Sequence, residues 1–259
     1  MIAYGHSTEN LLCYSTKPTI AEQSHPPEHA IERFSNGGLT HACPVMASVT
    51  RQMATSKREL KQRWKNDDFV AALTLPKNDI PQQTQLQNVD LRGVPKLGLD
   101  DPLGWFKFHE VESHGIDFSF GDGALIAHNS TIADLICHEF KFDRASAFCK
   151  STFLRADFAR SRLRLNAIDC EFIEYIFDAS TFAGGLNEYG FRRCSFRDCT
   201  FSSANWQRTY LRACQFTGCK FADMIIADSI IAGFKYELCA GFRDEMFVKC
   251  DVGGVVNVA

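Results

Sequence analysis

From residue 191 to residue 236 a large apolar side chain returns at every fifth position: Phe191, Phe196, Phe201, Trp206, Leu211, Phe216, Phe221, Ile226, Ile231 and Tyr236. A second residue, usually small, stands two places before most of them: Cys194, Cys199, Ala204, Thr209, Cys214, Cys219 and Ser229. Tyr189, Met224 and Phe234 are the large exceptions. A helix repeats every 3.6 residues and a strand every two, so neither lines up a five-residue stripe. The same spacing runs in other phases through Phe148, Phe153, Phe158, Leu163 and Ile168, through Phe172, Phe177 and Phe182, and through Phe242, Phe247 and Val252. Leu186 opens the long phase, and Ser146, Ser151, Ala156, Ser161 and Asn166 fill the small slot of the first.

Two inward positions separated by one outward residue describe a short strand. The other two residues of each unit must turn the chain. A strand and a corner every five residues wind into a coil whose successive turns pair as parallel strands about 4.8 Å apart. The large residue fills the centre, and the small one lets the wall close. The phase changes predict bulges or loops near 168–172, 182–186 and 236–242.

This unit resembles that of the pentapeptide-repeat family, centred on Leu or Phe with Ala, Cys, Ser, Thr or Val two places before. The resemblance implies an all-β solenoid, a right-handed quadrilateral parallel β-helix with four units and hence twenty residues per turn. It spans residues 86–252 and is degenerate before 148. The family favours Asp or Asn just before the centre, and here only Asp157, Asn205 and Asp251 comply. Twenty residues per turn stacks Phe196 under Phe216 and Tyr236, Phe201 under Phe221, and Phe191 under Leu211 and Ile231. Cys194 falls under Cys214 and Cys199 under Cys219; Cys239 joins that column only if the last phase change follows it.

The flanks differ. Residues 1–56 are rich in Ser, Thr, Pro, His and Gly and predict an irregular polar region, with at most a turn or two of helix at HSTENLLCYSTK. Residues 57–85 predict a short helical segment capping the solenoid. Ser56 can cap a helix that sets Leu60 and Trp64 on one face; Asn66-Asp67-Asp68 interrupts it and caps a second turn carrying Phe69 and Leu73, and Pro76 ends it. The end of a coil leaves unpaired strand groups and apolar side chains that need such a cover. Residues 253–259 read as a C-terminal tail.

Composition changes this picture little. The chain has 259 residues, 45% hydrophobic and 23% charged, with a formal net charge of −3. That balance gives no general attraction to nucleic acid or acidic membrane, so no direct nucleic-acid binding is expected. No membrane span is expected either, because no apolar run approaches the length of one. Eleven cysteines, an odd number without a secretory leader, argue for free thiols in a reduced, cytoplasmic setting. Their four-residue gaps follow from the repeat, so they are expected to bind no zinc, and no cofactor is expected. His109 and His114, with Glu110, Glu112 and Asp117 near, form the one constellation that could suggest metal or acid–base chemistry, and loop histidines explain it as well. No nucleophile pairs with a base, so the chain reads as a non-enzyme.

Charge placement carries the remaining functional content. Arg155, Arg160, Arg162 and Arg164 crowd one stretch, with Asp157 the acid nearest in sequence. Arg192, Arg197 and Arg212 directly follow central residues, and one turn of the coil sets Arg192 under Arg212. Stacked like charges repel unless an anion or an acidic surface intervenes. These seven arginines are the candidate partner-binding residues. The favoured reading is a non-catalytic scaffold that binds a protein partner, with a homodimer allowed. Some members of the family mimic DNA and protect a type II topoisomerase (gyrase) from toxins or drugs. That resemblance implies a long acidic side, against which a near-neutral repeat with two arginine clusters argues. A bacterial effector delivered into another cell is the third reading, with residues 1–56 as its export signal.

Overall fold

The computed structural model describes residues 56–72, 86–95, 105–143, 146–183 and 188–258. Within them the chain winds as a four-sided parallel β-solenoid. The first side stacks eight short strands from Glu112–His114 to Val256–Asn257. The second side has single bridges only, from Asp90–Asp117 through Ile136, Asp157, Ile176 and Thr200 to Lys220–Ala240. The third and fourth sides form one fourteen-stranded sheet, because the strand Asp122–His128 runs unbroken round the corner between them.

The corners explain the period. Among the described residues, twenty-one non-glycine residues have φ between +49° and +63°, and each stands two places after an inward-facing residue. Arg155 follows Phe153 in this way, Asp198 follows Phe196, and Asp228 follows Ile226. The left-handed conformation is costly for L-residues. Here main-chain bonds to the next turn over-determine it, as in Arg155 N–H to Ile173 C=O at 2.9 Å and Asp198 N–H to Thr217 C=O at 2.9 Å. Three strand residues and a two-residue corner, one residue of it left-handed, turn the chain from one side to the next in five.

Turn lengths depart from a uniform twenty. On the first side the register Ser113, Ile132, Phe153, Phe172, Phe196, Phe216, Tyr236 and Asn257 gives 19, 21, 19, 24, 20, 20 and 21 residues. Every departure but the last falls at the corner between third and fourth sides: Gly123 to Ala127, Phe142 to Phe148, Leu163 to Ala167 and Phe182 to Phe191. This corrects the expected register. Ala167 and Leu165 face inward and are buried, whereas Ile168 and Asn166 face outward and are half-buried. The slip therefore lies at 163–167, ahead of the expected 168–172. The loop expected at 182–186 falls between Phe182 and Phe191, and Leu186 lies outside the described residues. The last slip is a six-residue step from Gly241 to Phe247, so Cys239 stays in its column and Gly241 takes the central position expected for Phe242, a second correction to the register.

Inside, the rings stack. Phe153, Phe172, Phe196 and Phe216 follow one another at centroid distances of 5.2, 5.0 and 4.6 Å, within 10° of parallel. Phe177, Phe201 and Phe221 stack on the second side at 5.1 and 5.3 Å, within 11° of parallel. Phe148, Phe158, Phe182, Phe191, Trp206, Leu211, Ile226 and Ile231 are buried as well, while Tyr236 near the last turn is only half-buried. The strand Val256–Asn257 pairs with Lys235–Glu237, which brings part of the expected tail into the ladder.

The helical segment forms as α1 (Lys57–Gln62), one 3₁₀ turn (Arg63–Lys65) and α2 (Asp67–Ala72). Ser56 and Glu59 make a reciprocal capping box, and the Asn66 side chain accepts from the Asp68 and Phe69 amides at 2.9 and 3.2 Å. Leu60 and Trp64 are buried. The Trp64 indole donates to the Arg92 carbonyl at 2.9 Å, and Arg63 forks onto Asp90 at 2.8 and 3.0 Å. Lys57 meets Glu139 at 2.7 Å and lies over the Phe120 ring. Gly93, Phe120 and Glu139 are corner residues of three successive turns, so α1 grips a flank of the coil as well as its first turn. Leu73, Pro76 and the polar region 1–55 lie outside the described residues.

Candidate partner-binding face

The seven arginines do not form one surface. Arg155 occupies a corner between first and second sides, Arg160 one between second and third, and Arg162 and Arg164 flank Leu163 on the third. Arg197 is on the first side, and Arg192 and Arg212 are on the fourth. Several have acids one turn below. Arg155 forks onto Asp134 at 2.8 and 3.0 Å, a pairing that sequence proximity to Asp157 did not indicate, and Arg197 pairs with Glu171. Arg193, a corner residue outside the predicted set, forks onto Asp169 at 2.6 and 2.7 Å.

Arg192 and Arg212 are different. They are direct ladder partners on adjacent strands, with Ile168 below and Ala232 above. Among the described residues neither has a carboxylate within ion-pair distance. The neighbouring outward row reads Asn166, Gly190, Tyr210 and Ile230. Tyr210 is 8% exposed although its position faces outward. Its side chain reaches down across Gly190, and its hydroxyl donates to Asn166 Oδ1 at 2.8 Å. A Cβ at Gly190, where φ is +152°, would stand 2.1 Å from the Tyr210 carbonyl oxygen. The Arg212 guanidinium lies 5.5 Å from the Tyr210 ring centre. Burial raises the pKa of the Tyr210 phenol, against the pull of the nearby Arg192 charge.

Charge is segregated across the coil. The second side and its corners carry Asp90, Asp117, Asp134, Glu139, Asp157, Glu174, Asp178, Asp198 and Asp223 against Arg92, Arg155, Arg160, Lys220 and Arg243. Several of these acids accept main-chain bonds within the turns, as Asp117 does from Ser119 N–H and Asp157 from Ala159 N–H. On the opposite, fourth side the outward strand residues and corners carry Glu110, Asp169, Asp228 and Asp251 against Lys107, Lys150, Arg192, Arg193, Arg208, Arg212 and Lys249.

The histidine constellation does not assemble. His109 faces out on the fourth side and stacks on His128, ring centres 4.9 Å apart, while His114 is on the first side. Burial, with His109 and Lys150 nearby, lowers the His128 pKa. Among the described residues no three potential ligands converge on a metal site. The thiols of Cys194, Cys199, Cys214 and Cys219 each point at two main-chain carbonyls, one in their own turn and one in the turn below, at 3.4–3.6 Å. They are weak donors as well as small fillers.

The family model for pentapeptide repeats, in eight copies, matches residues 192–226. That stretch is the part of the coil where the steps are all five residues. The chain carries pentapeptide repeats. Full-length QnrB1, a plasmid-mediated fluoroquinolone resistance protein, is similar in structure at 16% identity over 68% of this chain and 93% of its own, with a TM-score of 0.38. HetL, a pentapeptide-repeat protein involved in heterocyst differentiation regulation in the cyanobacterium Nostoc, gives 10% identity over 68% and 86%, with a TM-score of 0.25. A search of curated proteins finds no match. In this pentapeptide-repeat coil the left-handed corners carry much of the charge. A sequence signal for them existed: Asp, Asn, Arg and Gly two places after the centre.

Proposed function

We propose that the protein is a non-catalytic scaffold that binds a protein partner through the outer sides of its coil. The observation that supports this is the filled interior. Stacked rings and small residues occupy the space inside the turns, so chemistry is confined to flat, rigid outer sides. Such sides suit recognition of another surface more than enclosure of a substrate. The buried cysteines do not resemble nucleophiles, since burial pushes the Cys214 thiol to about 12. No helix among the described residues is long and apolar enough to cross a membrane.

The test is reconstitution. A candidate partner captured by the full-length protein should re-form a stoichiometric complex from purified components, measured by light scattering. Failure of every captured candidate to do so overturns the scaffold reading. The acidic second side supports a second reading, a DNA mimic that protects gyrase. Ile136 and Ile176 interrupt its column of aspartates, and Arg155 and Arg160 dilute it. Unchanged drug inhibition of gyrase supercoiling in the presence of the protein would remove that reading. The effector reading rests on residues 1–56, nearly all outside the described structure.

A further inference from the structure

We propose that the Arg192–Arg212 pair, supported on Tyr210, is the docking site for an extended acidic protein segment that binds through Asp or Glu carboxylates. This deepens the scaffold reading and rests on it.

The argument begins from a contrast between arginines. Arg155, Arg193 and Arg197 each have a carboxylate from the turn below, in Asp134, Asp169 and Glu171. Arg192 and Arg212 instead have each other as ladder partners, in adjacent turns about 4.8 Å apart. Like charges on neighbouring rungs repel, and a carboxylate between them reverses the sign of the interaction. The pair is also held in place. Tyr210 is anchored below by Asn166, Gly190 leaves the path open, and Arg212 rests over the ring. Guanidinium groups already placed lose little freedom when an anion arrives.

The surroundings select the class of partner. Ile168, Ile230 and Ala232 border the two arginines on the same side. Nucleic acid is held by a long row of cations over successive phosphates, and this side does not supply one. An extended segment alternating acidic and apolar residues matches charge with charge and apolar with apolar.

A fluorescent peptide of alternating Glu and Leu, titrated into the full-length protein and followed by anisotropy, tests this. Arg212→Glu and Arg192→Glu should each weaken binding about tenfold or more, while Arg243→Glu on the second side leaves it unchanged. Tyr210→Phe should weaken it a few-fold by freeing the platform. Equal losses in all three arginine variants, or no loss in the two fourth-side variants, overturns the proposal. So does tighter binding of duplex DNA that shows the same sensitivity. If Arg192→Glu fails to fold, the more exposed Arg212→Gln decides alone. A natural partner still held by Arg212→Glu would remove this site and leave the scaffold standing.

Discussion

Phe216 lies flat on Phe196, their ring centroids 4.6 Å apart and their planes 5° from parallel. The residues are twenty apart and are ladder partners on the first side. Each ring is therefore wall, floor and ceiling to its neighbours. Phe216→Ala should cost about 3–5 kcal/mol in denaturant unfolding, because the rings above and below cannot collapse into the gap. Phe216→Asp should abolish the cooperative transition, since a charge there has no partner. A wild-type midpoint for either variant would show the ladder register to be wrong.

Two tyrosines should respond in opposite directions to losing their hydroxyl. Tyr175 is fully buried among Phe153, Phe158, Phe172 and Phe177, and its hydroxyl has no hydrogen-bond partner among the described residues. Tyr175→Phe removes a desolvated, unsatisfied group and should raise stability by about 1 kcal/mol. Tyr210→Phe breaks a bond to Asn166 and should lower it by about the same amount. Thermal unfolding of the pair side by side reads the difference, and a fall with Tyr175→Phe would reveal a hidden partner.

Stability should decline in acid through Asp90. Burial alone would raise its carboxyl, but hydrogen bonds from Arg63 and Arg92 outweigh burial and hold it well below its ordinary 3.8. Its folded pKa is thus below its unfolded one. The contribution is complete above the unfolded value and drains as pH falls from about 4 toward the folded value. Asp90→Asn should flatten that part of the stability–pH curve and cost about 1–3 kcal/mol at neutral pH. An unchanged acid limb in the variant would assign the loss elsewhere.

Seating of α1 should depend on Gly93. Its φ is +74°, and a Cβ there would stand 2.8 Å from the carbonyl carbon and oxygen of Leu60. Gly93→Ala should therefore unseat α1 at a cost of about 1–3 kcal/mol and speed tryptic cleavage at Arg58 and Lys61. Wild-type cleavage rates would mean that α1 is held by its side chains alone.

The stacked cysteines should be inert in the folded protein. Burial raises Cys137 and Cys214, and the neighbouring thiol of Cys199 pushes Cys219 to about 12. The nucleophilic thiolate is scarce at neutral pH in such surroundings. Mass mapping after brief alkylation should find these residues unmodified until guanidinium unfolds the chain. Rapid native labelling of Cys214 would contradict the burial.

The chain's own pattern determined the coil, because each five-residue unit makes its strand and corner from local chemistry. A large centre, a small residue two before it and a turn-tolerant residue two after it suffice. Ser56 before Leu60, and Asn66 before Phe69, likewise announced two helix starts, since capping acts within three or four residues. Where the count fails, the sequence was silent. The four-residue step from Leu163 to Ala167 puts alanine at the centre and leaves Ile168 outside, a choice made by the turns above and below. Partnership across turns was equally hidden: Asp134 under Arg155, Asp169 under Arg193, and Tyr210 reaching Asn166 across Gly190. Those pairs are 21, 24 and 44 residues apart, intervals set by uneven turn lengths rather than by any period. Only the stacked structure could decide which arginines meet a carboxylate from the turn below, and that Arg192 and Arg212 lie side by side without one among the described residues, because charge pairing depends on separation in space.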